Sequence, residues 1–277
     1  MTPVLAVDFD ETITTLDTVA RLPKLAAEYL PRAEAAGRGR SWEQGVSSYV
    51  AQWRETFEAV LASPPDGPTA ADRVDAFSRR FSDIENGSLT AIEDRSLLHG
   101  IPRAALTRCG TGIPKRDGAD ETLAEARRRG FDVHIISANW SADMLRGAVG
   151  DVGDIHSNDL EFDAEGLTTG RFLRRMVSAR DKGVCLRGVA DGRGRVVYVG
   201  DGMNDLAALL EADIGIVIGR KPDMQRVCEA LGIPTYAMAE AGRVSAGESL
   251  LRVDCWDEIA QCLFERERVG VEPTADG

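Results

Sequence analysis

The sequence has no pair of cysteines at CxxC spacing. Its five cysteines, Cys109, Cys185, Cys228, Cys255 and Cys262, are odd in number and scattered, which indicates neither a disulfide framework nor a zinc site. No apolar run approaches the roughly 20 residues that span a bilayer, and no charged region followed by an apolar leader opens the chain. The expectation is a cytoplasmic protein without membrane contact. Positive charge is in short supply: 33 lysines and arginines face 45 aspartates and glutamates, a net charge of −12, with a pI near 4.8. That balance opposes non-specific attraction to nucleic acid and leaves room only for a local basic pocket. The three histidines, His99, His134 and His156, fall outside every motif and read as structural or exposed. There is no internal repeat and no long low-complexity run. What remains is a 277-residue chain, 43% hydrophobic and 28% charged, long enough for one large domain or two ordinary ones.

The chain is organised around Val4-Leu5-Ala6-Val7-Asp8-Phe9-Asp10-Glu11-Thr12. Four strand-type apolar residues run into two aspartates and a polar turn, the pattern of a buried parallel strand. Its C-terminal edge is where open α/β sheets bind ligands. Taken alone, the two aspartates read equally well as an acidic turn cap.

The following segment has helical spacing over residues 17–30, up to Pro31. Residues 31–40 read as a loop rich in glycine and arginine, with Ser41 capping a helix through Trp42, Val46, Tyr49, Trp53 and Phe57 to Leu61. After a proline-rich break at 63–68, helices are expected over about 71–82 and 88–98, so that 15–112 forms an all-helical insertion. The α/β pattern then resumes with a helix over 120–129 and a strand over 131–136 that ends at Ser137-Ala138-Asn139-Trp140. Ser141 caps the next helix, and a hairpin occupies about 155–172, turning at Glu165 and Gly166. A helix starts near Asp181 and Lys182. A strand over 195–199 delivers Gly200-Asp201-Gly202-Met203-Asn204-Asp205, followed by a helix at 206–210 and strands at 214–218 and 233–237. Asp254 caps a final helix, and 270–277 reads as a frayed tail.

Polar groups thus recur in chain order: Asp8 and Asp10, then Ser137, then Lys182, then Asp201 with Asp205. This series, DxDxT, Ser, Lys and GDxxND, resembles the haloacid dehalogenase (HAD) superfamily, in particular its phosphoserine-phosphatase-like branch with an inserted helical (C1-type) cap. The resemblance implies a Rossmann-like α/β fold, a parallel sheet flanked by helices, with a core of 1–14 and 113–277 and a cap of 15–112. It implies Mg²⁺-dependent hydrolysis of a small phosphorylated metabolite through an aspartyl-phosphate. Asp8 fits the nucleophile, and Asp10 the acid that protonates the leaving alkoxide and the base that activates water. Carbon–halogen cleavage needs no such proton, and dehalogenases lack an aspartate at this place, so a dehalogenase reading is poor.

Three carboxylates and a dianionic phosphate repel one another without a cation, and hard oxygen donors select Mg²⁺. By the resemblance its ligands are the Asp8 carboxylate, the Asp10 backbone carbonyl and Asp201, with Asp205 in the outer shell or orienting Lys182. Ser137, the backbone at Ala138, and Lys182 would hold the phosphate. Asn204 reads equally as a site contact or a turn residue.

Two departures concern substrate. Asp17 stands where phosphoserine phosphatases use a glutamate to grip the substrate amino group, and Ala138-Asn139 replaces the usual two glycines. Phosphoserine is therefore in doubt. Trp42, Tyr49, Trp53 and Arg54 on one helix could face a ring-bearing phosphate, although such a stripe is more often core. Hinges for cap closure are expected near Thr14-Thr15 and Gly110-Thr111-Gly112. A phosphomutase, or a non-catalytic binding or regulatory protein, are the alternatives on the same fold; the second would be favoured by loss of Asp8 or Lys182, and both are present.

Overall fold

The computed structural model describes residues 1–264; the expected frayed tail lies outside them. Strand β1 (Val4–Val7) is buried along its whole length. Alternate side chains of a strand point to opposite faces, so Leu5 and Val7 join one hydrophobic core while Val4 and Ala6 join a second. A strand apolar on both faces is stable only between two helical layers, and β1 is an interior strand of the sheet, between β3 and β7.

After β1 come α1 (Arg21–Glu28), α2 (Arg32–Ala62), α3 (Ala70–Arg79), α4 (Ser82–Asp94), β2 (His99–Pro102) and α5 (Arg103–Thr111). The alternating part follows with α6 (Ala119–Arg128), β3 (Asp132–Ile136), α7 (Ala142–Val149), β4 (Asp154–His156), β5 (Asp159–Phe162), β6 (Leu167–Leu173) and α8 (Ala179–Ala190). The chain continues through β7 (Val196–Gly200), α9 (Leu206–Glu211), β8 (Ile214–Ile218), α10 (Pro222–Ala230), β9 (Thr235–Ala237), β10 (Leu250–Val253) and α11 (Trp256–Phe264). Seven strands form a parallel sheet in the order β4-β3-β1-β7-β8-β10-β9. The α/β fold with a helical segment inserted after β1 is the one expected.

Register places the motifs together. Val7 lies opposite Ile135 on one side and Val199 on the other, so Asp8, Ser137 and Asp201 emerge within about one residue of each other at the same edge.

The insertion departs from expectation in three places. Residues 31–40 are the first turns of α2, a helix of 31 residues, with Pro31 at its N-cap. Alanine, arginine and glutamate are strong helix formers, and Gly37 and Gly39, with open space around them, cost only about 1 kcal/mol each. Arg38 also ties this part of α2 to Glu34 and to the His99 carbonyl. Ser41 is therefore helix interior, not a cap. The next helix starts about where expected, at Ala70, and ends at Arg79, whereas the one after it begins early, at Ser82, and ends at Asp94. Finally, the stretch expected to be helix alone contains β2. It pairs antiparallel with β6, and the Thr168 hydroxyl bridges the Leu98 carbonyl and the Ile101 N–H. The hairpin is β5–β6, over 159–173, whereas Ile155 and His156 belong to β4 of the main sheet.

Gly110 is no hinge. A Cβ there would lie 2.0 Å from the Met144 carbonyl oxygen of α7, and one at Gly147 would lie 2.0 Å from the Thr107 carbonyl oxygen of α5. The two glycines let α5 and α7 cross at backbone contact, which fixes α5 to the core. At its other end the insertion is also docked: Phe57, Val60, Val74 and Phe77 share a hydrophobic cluster with Leu209 and Val227, and Arg73 Nε donates to the Leu231 carbonyl at 2.7 Å. The Asp254 carboxylate pairs with Arg220, while its N–H donates to Glu258. Cys109, Cys185, Cys228 and Cys255 are free thiols, and no helix of the described residues is long and apolar enough to cross a membrane.

Candidate active site

Asp8 continues β1 by one residue, its N–H donating to the Val199 carbonyl. Its carboxylate Oδ1 meets Lys182 Nζ at 2.8 Å, and the same ammonium reaches Asp205 Oδ1 at 2.7 Å. Lys182 is carried by α8, whose start is fixed by a capping box between Ser178 and Asp181. This long side chain is 2% exposed, so its charge is accounted for by its two carboxylate partners and not by water. Burial alone would lower the Lys182 pKa; Asp205 and Asp8 outweigh it and the net shift is upward. Asp8 is raised well above the ordinary carboxylate range, first by burial and then by Asp205, against the pull of Lys182.

Asp205 is saturated. Oδ1 accepts from Lys182 and from the Tyr198 hydroxyl at 2.8 Å, and Oδ2 accepts from the N–H groups of Asp201 and Gly202 at 3.1 Å each. The fit is tight enough that a Cβ at Gly200 would lie 2.4 Å from the Asp205 carboxyl carbon, which requires glycine there. Asp205 thus orients Lys182 and the turn, with no lone pair directed at a cation.

Asp201 accepts at Oδ1 from Thr12 Oγ1 at 3.0 Å and is ion-paired at Oδ2 with Lys221. Lys221, just before α10, also bonds Glu11 Oε2 at 2.6 Å. Burial and then Asp205 raise the Asp201 pKa, opposed by Lys221. Glu11 occupies the left-handed region, φ 57°, a conformation uncommon for a side-chain-bearing residue and often found at functional sites. It turns the chain beneath the site, and Arg116 holds its carbonyl at 3.0 Å.

Asp10 faces a different neighbourhood. Oδ1 accepts from the Thr18 N–H at 2.8 Å and the Thr18 hydroxyl at 2.6 Å, and Oδ2 accepts from Asn139 Nδ2 at 2.8 Å. Burial raises its pKa against these bonds. Asn139 is locked in turn, since its Oδ1 accepts from the Trp140 and Ser141 N–H groups. The Asn139 N–H donates to Ser137 Oγ at 3.1 Å. Asn158 clamps the same turn by donating to the carbonyls of Ala138 and Met176.

Asp8, Asp201 and Asp205 offer carboxylate oxygens within 4.8 Å of one another, all buried. This hard-oxygen set fits a divalent cation: burial, and after it neighbouring negative charge, raises the pKa values of Asp8 and Asp201, and Asp205 is already spent on Lys182. Asp8 and Asp201 are the carboxylates of this set that could hold a divalent cation.

All of these groups open into one cavity of about 730 Å³. Asp8, Asp10, Ser137, Ala138, Lys182, Asp201 and Asp205 form its floor, exposed Asn204 lies on the wall, and Asp17, Trp42, Tyr49 and Trp53 come from the inserted segment. Arg54 does not line it: one residue beyond Trp53 on α2, it falls on the exposed side of the helix. Asp17 is exposed, with Oδ1 accepting the Val19 N–H at 2.8 Å. The sequence reading missed Asn139, Thr18 and Lys221. For Lys221 a signal existed, a lysine three residues past the end of an apolar strand and directly before Pro222 at the first position of a helix. Asn139 lay inside a recognised turn but was weighed only as a lost glycine.

A parallel sheet with carboxylates and a buried lysine on its C-terminal edge, beneath an inserted helical segment, defines an α/β enzyme with its chemistry at the strand ends. The chain belongs to the haloacid dehalogenase-like hydrolase family, whose model matches residues 5–210. It is similar to the bifunctional TH2 protein of Arabidopsis thaliana, 24% identical over 83% of this chain and 42% of that one. It is also similar to a phosphoserine phosphatase of Archaeoglobus fulgidus, 30% identical over 57% of this chain and 47% of that one. The chain thus spans less than half the length of either relative. A HAD family hydrolase from Salmonella enterica serovar Typhi shares the fold, with a TM-score of 0.58 and 17% identity over 96% of this chain and 72% of that one.

Proposed function

We propose that the chain hydrolyses a small phosphomonoester in two successive displacements at phosphorus. The observation that carries this reading is the division of labour between two carboxylates from one strand end: Asp8 is gripped by buried Lys182, and Asp10 by Thr18 and Asn139. Asp8 is the nucleophile; its oxygen bonds to phosphorus as the bond from phosphorus to the substrate alcohol oxygen breaks. Asp10 gives its proton to the departing alkoxide, then takes one from a water molecule whose oxygen attacks the phosphorus and frees Asp8 and inorganic phosphate.

The Ser137 hydroxyl, the Ala138 N–H and the Lys182 ammonium hold the phosphoryl oxygens, donors fixed in place before the substrate arrives. Asp8, Asp201 and the Asp10 backbone carbonyl would hold Mg²⁺, which would neutralise the phosphate charge. Asp205 keeps Lys182 aimed at Asp8, and Lys221 balances Asp201. The phosphatase named among the relatives supports the reaction class.

The test is a panel of phosphomonoesters incubated with the purified chain and Mg²⁺, read out as inorganic phosphate. Release of phosphate from at least one of them, lost in Asp8→Asn, is the expected result. Turnover that isomerises a sugar phosphate without freeing phosphate would instead identify a phosphomutase.

A further inference from the structure

Helix α2 carries an apolar stripe in an unusual place. Trp42, Val46, Tyr49, Val50 and Trp53 recur at helical spacing and all line the cavity, yet Val46 is 41% and Val50 36% exposed. The buried side chains of α2, Phe57 and Val60, lie further along, where the helix docks on the core. The stripe is covered only in part: Trp42 and Trp53 are half-buried against the two cores, while Val46 and Val50 between them border open space above the phosphate floor. Of the four tryptophans in the chain, three line this cavity, because Trp140, on the turn that carries Ser137, faces Trp42 with ring centroids 6.0 Å apart. Trp53 is backed by Phe57 in a stacked contact at 4.9 Å, which holds its ring in place.

One polar pair interrupts the stripe. The Tyr49 hydroxyl donates to Glu85 Oε1 at 2.8 Å, so the phenol's donor is used and the other carboxylate oxygen, Oε2, is left to accept from whatever fills the cavity. The floor cations are already matched, Lys182 to Asp8 and Asp205, and Lys221 to Asp201 and Glu11. Arg95, exposed, stands beside Gly45 at the rim.

Resting on the phosphatase reading above, we propose that the substrate is the phosphomonoester of an alcohol carried by a flat aromatic or heteroaromatic ring bearing a hydrogen-bond donor. The ring lies on part of the stripe formed by Trp42, Val46, Val50 and Trp53, and its donor meets Glu85. A cavity of about 730 Å³ is in the range that encloses a ring-sized organic molecule. Phosphoserine would leave the stripe uncovered and bring a carboxylate into a wall that already carries half-buried Glu85, with Arg95 only at the rim. Aromatic faces reward planar ligands because stacking costs little ordering of either partner.

The experiment compares kcat/KM, as phosphate release with Mg²⁺, for an amino-substituted heteroarylmethyl phosphate, plain benzyl phosphate, phosphoserine and acetyl phosphate. The expected order is amino-heteroaryl above benzyl, with phosphoserine lowest of the three esters. Trp53→Ala and Val46→Asp should each lower the ring substrates by about tenfold while leaving acetyl phosphate unchanged; the exposure of Val46 makes the second variant a tolerated substitution. Glu85→Leu should abolish the advantage of the amino group, and Glu85→Gln, which keeps an acceptor, should restore part of it. Phosphoserine outrunning both ring substrates, or equal losses on all four compounds, overturns the inference while the phosphatase reading stands. No phosphate release from any compound, acetyl phosphate included, overturns both.

Discussion

Asn139 Nδ2 donates to Asp10 Oδ2 at 2.8 Å, joining residues 129 positions apart. The same amide reaches the Thr18 hydroxyl at 2.9 Å, so a side chain on the turn after β3 fixes the carboxylate proposed to handle the proton. Asn139→Ala should therefore lower kcat on an unactivated alkyl phosphate by up to about a hundredfold with KM little changed. It should slow p-nitrophenyl phosphate far less, because that leaving group needs no proton. Parallel measurements with Asp10→Asn should show the same split. Equal losses on both substrates would make Asn139 a structural residue only.

Removing the metal tests the acidic cluster. EDTA should silence turnover and added Mg²⁺ restore it, and Asp201→Ala should raise the Mg²⁺ concentration needed for half activity or remove activity. Isothermal titration of the same variant should show weakened Mg²⁺ binding. Full activity in EDTA would contradict the assignment.

A pH effect is expected away from the active site. His134 Nδ1 and His156 Nε2 lie 3.1 Å apart on adjacent strands β3 and β4, a spacing that accommodates one proton and not two charged rings. Asp132 stands 3.4 Å from His134 and is itself paired with Arg193. Burial, then His134, hold the His156 pKa below its ordinary 6.5, against Asp154. The folded chain thus binds fewer protons here than the unfolded one, so stability is intact above that value and falls as pH drops through it. His156→Asn should flatten the urea-unfolding midpoint between about pH 7 and about pH 5. An unchanged slope would contradict it.

Two glycines in helices should respond to alanine with opposite signs. Gly110→Ala forces a methyl group against the Met144 carbonyl and should cost about 1–3 kcal/mol or more. Gly37→Ala enters open space in α2 and should stabilise by about 0.5–1 kcal/mol. Chemical denaturation of both variants checks the contrast; equal effects would mean that α5 and α7 are not in backbone contact.

The central strands were legible because β1, β3, β7 and β8 are short, strongly apolar runs that end in polar turns, a local pattern. The site followed from them, since parallel register alone aligns Asp8, Ser137 and Asp201. Three things were not local. The glycines at 37 and 39 suggested a loop, but the surrounding helix formers and the Arg38 contacts decided for helix. Strand β2 has only four residues with a single buried side chain, and its reason to exist is the partner β6, some 65 residues on. The bonds that tie Asn139 to Asp10 and Lys221 to Glu11 join turns distant in sequence, and single-sequence periodicity carries no information about such pairs. Gly110 looked like a hinge because small residues suit hinges; a close helix crossing asks for the same residue.

The most direct measurement of the mechanism is trapping of the phosphoryl-enzyme. The full chain with Mg²⁺ and a turned-over ester is quenched in acid within the first turnover, digested and analysed by mass spectrometry. The account predicts the mass of one phosphoryl group on the peptide that carries Asp8, its accumulation in Asp10→Asn with p-nitrophenyl phosphate, and its absence in Asp8→Asn. A phosphoryl group on any other residue, or turnover persisting in Asp8→Asn, would contradict it.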